Sequence, residues 1–341
     1  MIAISRCKRW VIPTLVIATI VVSMMWVYCT SRPTVSLTGS FVTTVVDMEL
    51  KTTEHHGRLF INRTSIATAP NVVLPASFDS VNETFNCKTT VLINMIFPIC
   101  IYTAEVDDTV SGLMSRGIYF EADEVSRFLR LFGLDRRLQL VDIGANVGLY
   151  SLPAARVTQV LAVEPNSQSM SRLAKGVDLG AVSSNITLIH NAVSNVRSTF
   201  NMGVHPTNQG NAFLINTTKC KATPTNKPCN TLSPIRTILL DDLLPLMRSK
   251  AALMKVDVEG HEVNIFTDST AGKFFDQIDV PIVFMEWILC QRHSPDTIQR
   301  LLNFFYSRNY SVFDVNNSEL KKHYLSWPGS VLFKKLTNLR F

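Results

Sequence analysis

LQLVDIGANVGLYSL, residues 138–152, decides the fold. An apolar run ends in the acid Asp142, breaks at Gly144 and Gly148, and passes into residues 147–157, which are helical in composition. Strand, tight turn and helix in that order let backbone come close to a ligand, because glycine has no Cβ to clash. The next apolar run, QVLAVEP (159–165), ends in Glu164, twenty residues beyond Gly144. An acid at that place can accept hydrogen bonds from both ribose hydroxyls of a nucleoside. Position 146 is Asn, where the dinucleotide fingerprint G-x-G-x-x-G has Gly. NAD and FAD are therefore not expected, and a nucleoside without a pyrophosphate is.

The pattern continues on both sides. ITLIHNAV (186–193), AALMKVDVEG (251–260) and PIVFMEW (281–287) are further apolar runs, while Ser167–Leu179 and residues 295–308 show helical spacing. Buried runs separated by helices predict a parallel sheet covered on both faces, an α/β fold. YSVFDV (310–315) and SVLFKK (330–335) have no helix between them and predict an antiparallel hairpin at one edge. Residues 198–245 interrupt the alternation with short strands and read as an insertion.

The 341 residues are 46% hydrophobic and 18% charged, with 14 Gly and 15 Pro, which excludes disordered and collagen-like chains. The net charge of +6 is uneven: Arg6, Lys8 and Arg9 supply half of it within the first ten residues. The remainder is too balanced to predict nucleic acid as a partner. Residues 11–29 form a run of nineteen without a charge. As a helix it spans about 28 Å, the thickness of a bilayer hydrocarbon core. Trp10, Trp26 and Tyr28 suit the two interfaces, and the basic residues before it place the N-terminus in the cytosol. A cleaved signal peptide is the rival reading, but its apolar region is usually shorter and ends in small residues. The expected layout is a cytoplasmic tail (1–10), a transmembrane signal anchor (11–29), a Thr/Ser/Val/Asn-rich stem (30–86) and a folded domain (87–341). That is a single-pass type II membrane protein with its domain in the secretory lumen.

Two tallies accompany this layout. N-x-[ST] sequons begin at Asn62, Asn82, Asn185, Asn216, Asn309 and Asn316. Cys220 and Cys229 bracket KATPTNKP, a loop suited to closure by a disulfide; Cys87 and Cys100 can close a second, leaving Cys290 free in an apolar strand. Four cysteines allow three pairings, and spacing alone does not choose between them. No C-x-x-C pair is present, so no zinc site is expected.

VDIGANVGLYSL (141–152), LAVEPN (161–166), HNAVSN (190–195), TILLDDLL (237–244) and LMKVDVEGHE (253–262) together resemble the motifs of FkbM-type methyltransferases, over roughly residues 100–335. The resemblance implies a Rossmann-like class I methyltransferase with a seven-stranded, mostly parallel sheet and a C-terminal antiparallel hairpin. It also implies S-adenosyl-L-methionine as cofactor and transfer to an oxygen. Two departures from the family pattern stand out: Pro153 replaces a helix former, and Tyr119-Phe120-Glu121 stands where a Trp-Glu pair is common.

Site roles follow by position. Asp142 and Gly144, with Asn146 and Gly148 in the same turn, are assigned to the cofactor's amino-acid end. Glu164 is assigned to its ribose, and Asn191 and Ala192 to its adenine. Asp257, Glu259 and His261 close the run at 251–260, where open α/β sheets place ligands, and Asp257 or His261 is the expected base. The competing reading is that Lys255, Asp257 and Glu259 form a structural ion-pair network. Glu286 has the same strand-end placement. No metal is expected. The acceptor expected for a Golgi-type lumen is a glycan hydroxyl, with a lipid or small molecule, or a non-catalytic binding domain, as alternatives. The sequence leaves the oligomeric state open.

Overall fold

The computed structural model describes residues 45–46, 84–215, 230–321 and 323–336. The proposed anchor (11–29), nearly all of the stem, the sequons at Asn62, Asn82 and Asn216, and Cys220 and Cys229 lie outside the described residues. Among the described residues no helix is long and apolar enough to cross a membrane.

Val45–Val46 (β1), Asn86–Leu92 (β2) and Met95–Ile101 (β3) form a small antiparallel sheet. The two residues joining β2 to β3, Ile93 and Asn94, both have positive φ (47° and 60°), the backbone of a tight hairpin turn. Cys87 and Cys100 face each other across this hairpin and form a disulfide. The hairpin packs on the helix Ser167–Leu179, where Gly176 and the capping Gly180 leave room for Pro98.

The main sheet contains Leu138–Ile143 (β4), Val160–Val163 (β5) and Ile186–Ile189 (β6). Ala192–Val193 (β7), Thr199–His205 (β8), Asn208–Ile215 (β9) and Asn230–Ile238 (β10) form a separate four-stranded sheet, ordered β7-β10-β8-β9, where the insertion was expected. Ala251–Val256 (β11), Asp279–Glu286 (β12), Tyr310–Phe313 (β13) and Ser330–Lys335 (β14) complete the main sheet, in the order β13-β14-β12-β11-β4-β5-β6. Only β14 runs antiparallel to its neighbours.

Every residue of β4 and β11 is buried. Alternate side chains feed two cores, as a doubly covered sheet requires. Leu138 and Leu140 meet the helix Ala122–Leu134 side, and Val141 and Ile143 meet the core shared with Pro295–Tyr306. Both helices are amphipathic: Val125, Phe128, Leu129 and Phe132, and Ile298, Leu301, Leu302 and Phe305, recur at helical spacing on their buried faces. The Ser294 side chain accepts the Thr297 N–H and Pro295 opens the second helix, a favoured start.

Two expectations are corrected. Residues 147–157 hold a single helical turn, Ser151–Ala154, rather than a helix. Pro153 has no N–H to give Leu149 O, four residues back. The Tyr119 hydroxyl donates to that same carbonyl, so the two departures from the family pattern are partners. Cys290 lies not in a strand but in a 3₁₀ turn after β12, where it is buried and free.

Candidate active site

Strand order reverses between β4 and β11, and open α/β sheets bind ligands beyond the carboxyl ends of their strands at such a point. A cleft of about 1020 Å³, counting its open mouth, lies there. Gly144, Asn146, Glu164, Asn191, Ala192, Asp257, Glu259 and His261 all line it.

Asp142 and Gly148 do not. Asp142 is fully buried: its Oδ2 accepts the Ser151 hydroxyl at 2.6 Å and its Oδ1 lies 3.8 Å from Lys255 Nζ. It therefore holds the wall of the cleft rather than facing into it. Gly148 (φ +99°) packs beneath the loop, where a Cβ would lie 2.6 Å from Leu173 Cδ1. Gly144 (φ +83°) has the stricter requirement, since a Cβ there would fall 1.8 Å from Asp257 O. The loop after β4 and the end of β11 thus cross at backbone distance, and Lys255 Nζ donates to Gly144 O at 2.7 Å to fix the crossing.

At one end of the cleft, Glu164 accepts the Asn146 N–H (2.8 Å) and the Asn166 N–H (2.7 Å), one on each carboxyl oxygen. Burial outweighs these bonds and raises its carboxyl to about 7. A carboxylate has lone pairs left over for two hydroxyls. Ala192 and, from the insertion, Met202 and Leu214 pack together and add an apolar wall to the cleft.

The other end is acidic. Asp257 Oδ2 lies 3.3 Å from Lys255 Nζ and a third of its side chain (33%) is exposed. Burial would lower the Lys255 ammonium, but Asp257, Asp142 and Glu121 outweigh it and keep the lysine charged. Glu286 is pushed up to about 10, by burial first and then by the charges of Asp257 and Glu259. Its Oε2 is buried with no hydrogen-bond partner. Glu259, in a left-handed backbone conformation (φ +57°), is raised well above its ordinary value for the same two reasons, burial first and then Asp257. Glu262 Oε1 accepts the Val258 N–H (2.8 Å) and the Gly260 N–H (3.4 Å) and so shapes the turn. The ion-pair network of the competing reading thus joins Lys255 to Asp257 and Asp142, with Glu259 in none of the ion pairs among the described residues.

Asp257, Glu262 and Glu286 each place one carboxylate oxygen within 4.8 Å of the other two, the grouping among the described residues that could hold a divalent cation. Two of Glu262's bonds are already taken by backbone. His261 has both ring nitrogens engaged: Asn264 Nδ2 lies 3.1 Å from Nδ1, and Ser194 Oγ 2.8 Å from Nε2. With the amide donating to Nδ1, Nε2 carries the proton and has no lone pair for a substrate.

Glu121 and Tyr150 also line the cleft and were not assigned roles from sequence. Their only sequence signal is their place beside the glycine turn and the family's Trp-Glu position. Met202 and Leu214 gave none, because the hairpin that carries them is an insertion.

Fold and cleft define an α/β protein with an open cleft across the reversal of its strand order. The Methyltransferase FkbM domain model matches residues 142–312, half of the chain, and the chain belongs to that family. Family and fold support a methyltransferase dependent on S-adenosylmethionine. Similar solved structures include methyltransferase FkbM from Methylobacillus flagellatus KT (16% identity, 57% of this chain and 43% of that one, TM-score 0.36). Others are a putative O-methyltransferase from Klebsiella pneumoniae (12%, 63% and 81%, 0.34) and an S-adenosylmethionine-dependent O-methyltransferase from Thermotoga maritima (7%, 75% and 80%, 0.33). At these identities and TM-scores the likenesses carry no inference about this chain. No curated protein matches it.

Proposed function

We propose that this protein is an S-adenosylmethionine-dependent O-methyltransferase with Asp257 as its base. The observation that carries the reading is Glu164: a buried carboxylate at the end of β5, each oxygen pinned by a backbone N–H, beside the cleft. The donor set fits the cofactor, with Glu164 for the ribose hydroxyls, the Ala192–Met202–Leu214 wall and Asn191 for adenine, and carboxylates for a cationic end. When bound, the cofactor supplies a methyl group on a sulfonium. Asp257 takes the proton from the acceptor hydroxyl: it is the carboxylate of this end that reaches solvent, with Lys255 at 3.3 Å, while burial favours the protonated form of Glu259 and Glu286. His261 orients the turn through Ser194 and Asn264. Titrating S-adenosylhomocysteine into Glu164→Ala tests the assignment: affinity should fall by about 1–3 kcal/mol. An unchanged affinity in the folded variant defeats it.

We also infer a setting and an acceptor: a type II anchor at 11–29, a luminal Golgi domain, and a glycan hydroxyl as acceptor. Support comes from the apolar run, the sequons and the Cys87–Cys100 disulfide, since such bonds persist in oxidising compartments. Asn309 and Asn316 are exposed and suited to carry glycans, whereas the Asn185 amide donates inward to Ala155 O at 2.9 Å. Protein from a eukaryotic secretory host should shift on a gel after glycosidase treatment. No shift, with the C-terminal domain open to protease in sealed vesicles, overturns the orientation. Released glycans from expressing cells that gain no methyl mass exclude the glycan acceptor.

A further inference from the structure

Asp142 faces away from the cleft, so the cofactor's amino-acid end lacks the carboxylate that its strand-end position suggested. Glu121 stands in its place. It immediately precedes the helix Ala122–Leu134 with φ +55°, a left-handed conformation unfavourable for a long side chain. The Tyr150 hydroxyl donates to its Oε2 at 3.0 Å, and Tyr150 belongs to the loop that follows Gly144. Both residues line the cleft.

What Glu121 lacks is a cation in direct contact; Lys255 acts on it only from farther away. Among the described residues Lys255 is the only Lys or Arg lining the cleft, and its ammonium already serves Gly144 O, Asp257 and Asp142. Glu121 takes part in none of the ion pairs among the described residues. A carboxylate removed from water without a positive partner is costly, and a ligand ammonium supplies that partner. Asp257 has no such need, with Lys255 at 3.3 Å. Glu259 and Glu286 lie at the ends of β11 and β12, beyond Asp257, and neither bonds to the loop after Gly144.

We propose that Glu121 binds the α-ammonium of the cofactor's amino-acid end, with Tyr150 as the positioning residue that aims its carboxylate. This rests on the reading of the cleft as an S-adenosylmethionine site, and the test separates the two. Isothermal titration of the full-length protein compares S-adenosylhomocysteine, its deaminated analogue, and 5′-methylthioadenosine, which keeps only the nucleoside. E121Q should weaken S-adenosylhomocysteine at least about tenfold and leave the other two within a factor of about two. Tyr150→Phe should show the same pattern to a smaller degree, and unchanged 5′-methylthioadenosine binding certifies that each variant is folded. Equal losses for all three ligands, or no loss for S-adenosylhomocysteine, overturn the proposal; should E121Q not fold, the pattern in Tyr150→Phe decides. Wild-type protein that binds none of the three overturns the cofactor reading instead.

Discussion

The two ends of the cleft use carboxylates in opposite ways. After β5, one glutamate stands alone, and two backbone N–H groups hold its oxygens in place. After β11 and β12, Asp257, Glu259, Glu262 and Glu286 crowd together, and Lys255 pairs with Asp257. A lone, pinned carboxylate presents fixed acceptors, which is what recognition of neutral hydroxyls requires. Crowded carboxylates cannot all ionise, so that end holds protons and can receive another when one of its members is ionised. The contrast assigns binding to the first end and proton chemistry to the second.

The crossing that joins the two ends is its most vulnerable point. Gly144→Ala puts a Cβ 1.8 Å from Asp257 O and asks alanine for φ +83°. A loss above about 4 kcal/mol is expected in denaturant unfolding, enough to leave little native protein. A variant of near-native stability shows that the loop and β11 do not cross as described.

Asp257→Asn tests the division of labour. Turnover should fall by about 10²–10⁴ while S-adenosylhomocysteine affinity stays within about threefold. A large loss of affinity with little loss of turnover moves Asp257 to the binding end and erases the contrast.

The carboxyls raised by burial also tie stability to pH. Glu121, Glu164 and Glu262 sit at about 7 in the folded protein against an ordinary 4.5. Below the ordinary value both states hold these protons. Between about 4.5 and 7 the unfolded chain gives them up first, so stability falls as pH rises and the loss is complete above the folded value. Each such group contributes up to about 1.4 kcal/mol per pH unit. Melting temperatures should therefore be higher near pH 5 than near pH 7.5, and Glu262→Gln, which keeps an oxygen for the Val258 and Gly260 N–H groups, should flatten the slope. A wild-type slope of opposite sign refutes the burial of these protons.

The smallest effect lies in the wall behind the cleft. Tyr119→Phe removes the donor to Leu149 O and should cost about 1 kcal/mol. Adding Pro153→Ala returns a backbone N–H to that carbonyl, so the double variant should be more stable than the sum of the singles predicts. Simple additivity means that the two residues are not partners.

The chain order itself carried much of this. The alternation from residue 138 onward, the glycine pair, the acid at Glu164 and the final hairpin are local patterns, and local patterns survive as strands, turns and helices because buried sheets demand apolar runs and tight turns demand glycine. Gly144, Asn146, Glu164, Asn191, Ala192, Asp257, Glu259 and His261 meet in one cleft because they all stand at strand ends. What no local pattern contains is where a side chain points once distant segments pack. Asp142 and Glu164 both end strands, yet one is sealed behind the wall by Lys255, 113 residues away in sequence, and the other faces the ligand. The Nε2 of His261 is engaged by Ser194 from another strand end, and Leu149 O finds its donor in Tyr119. Partner, burial and charge are properties of neighbours in space, and only the packed sheet supplies those neighbours.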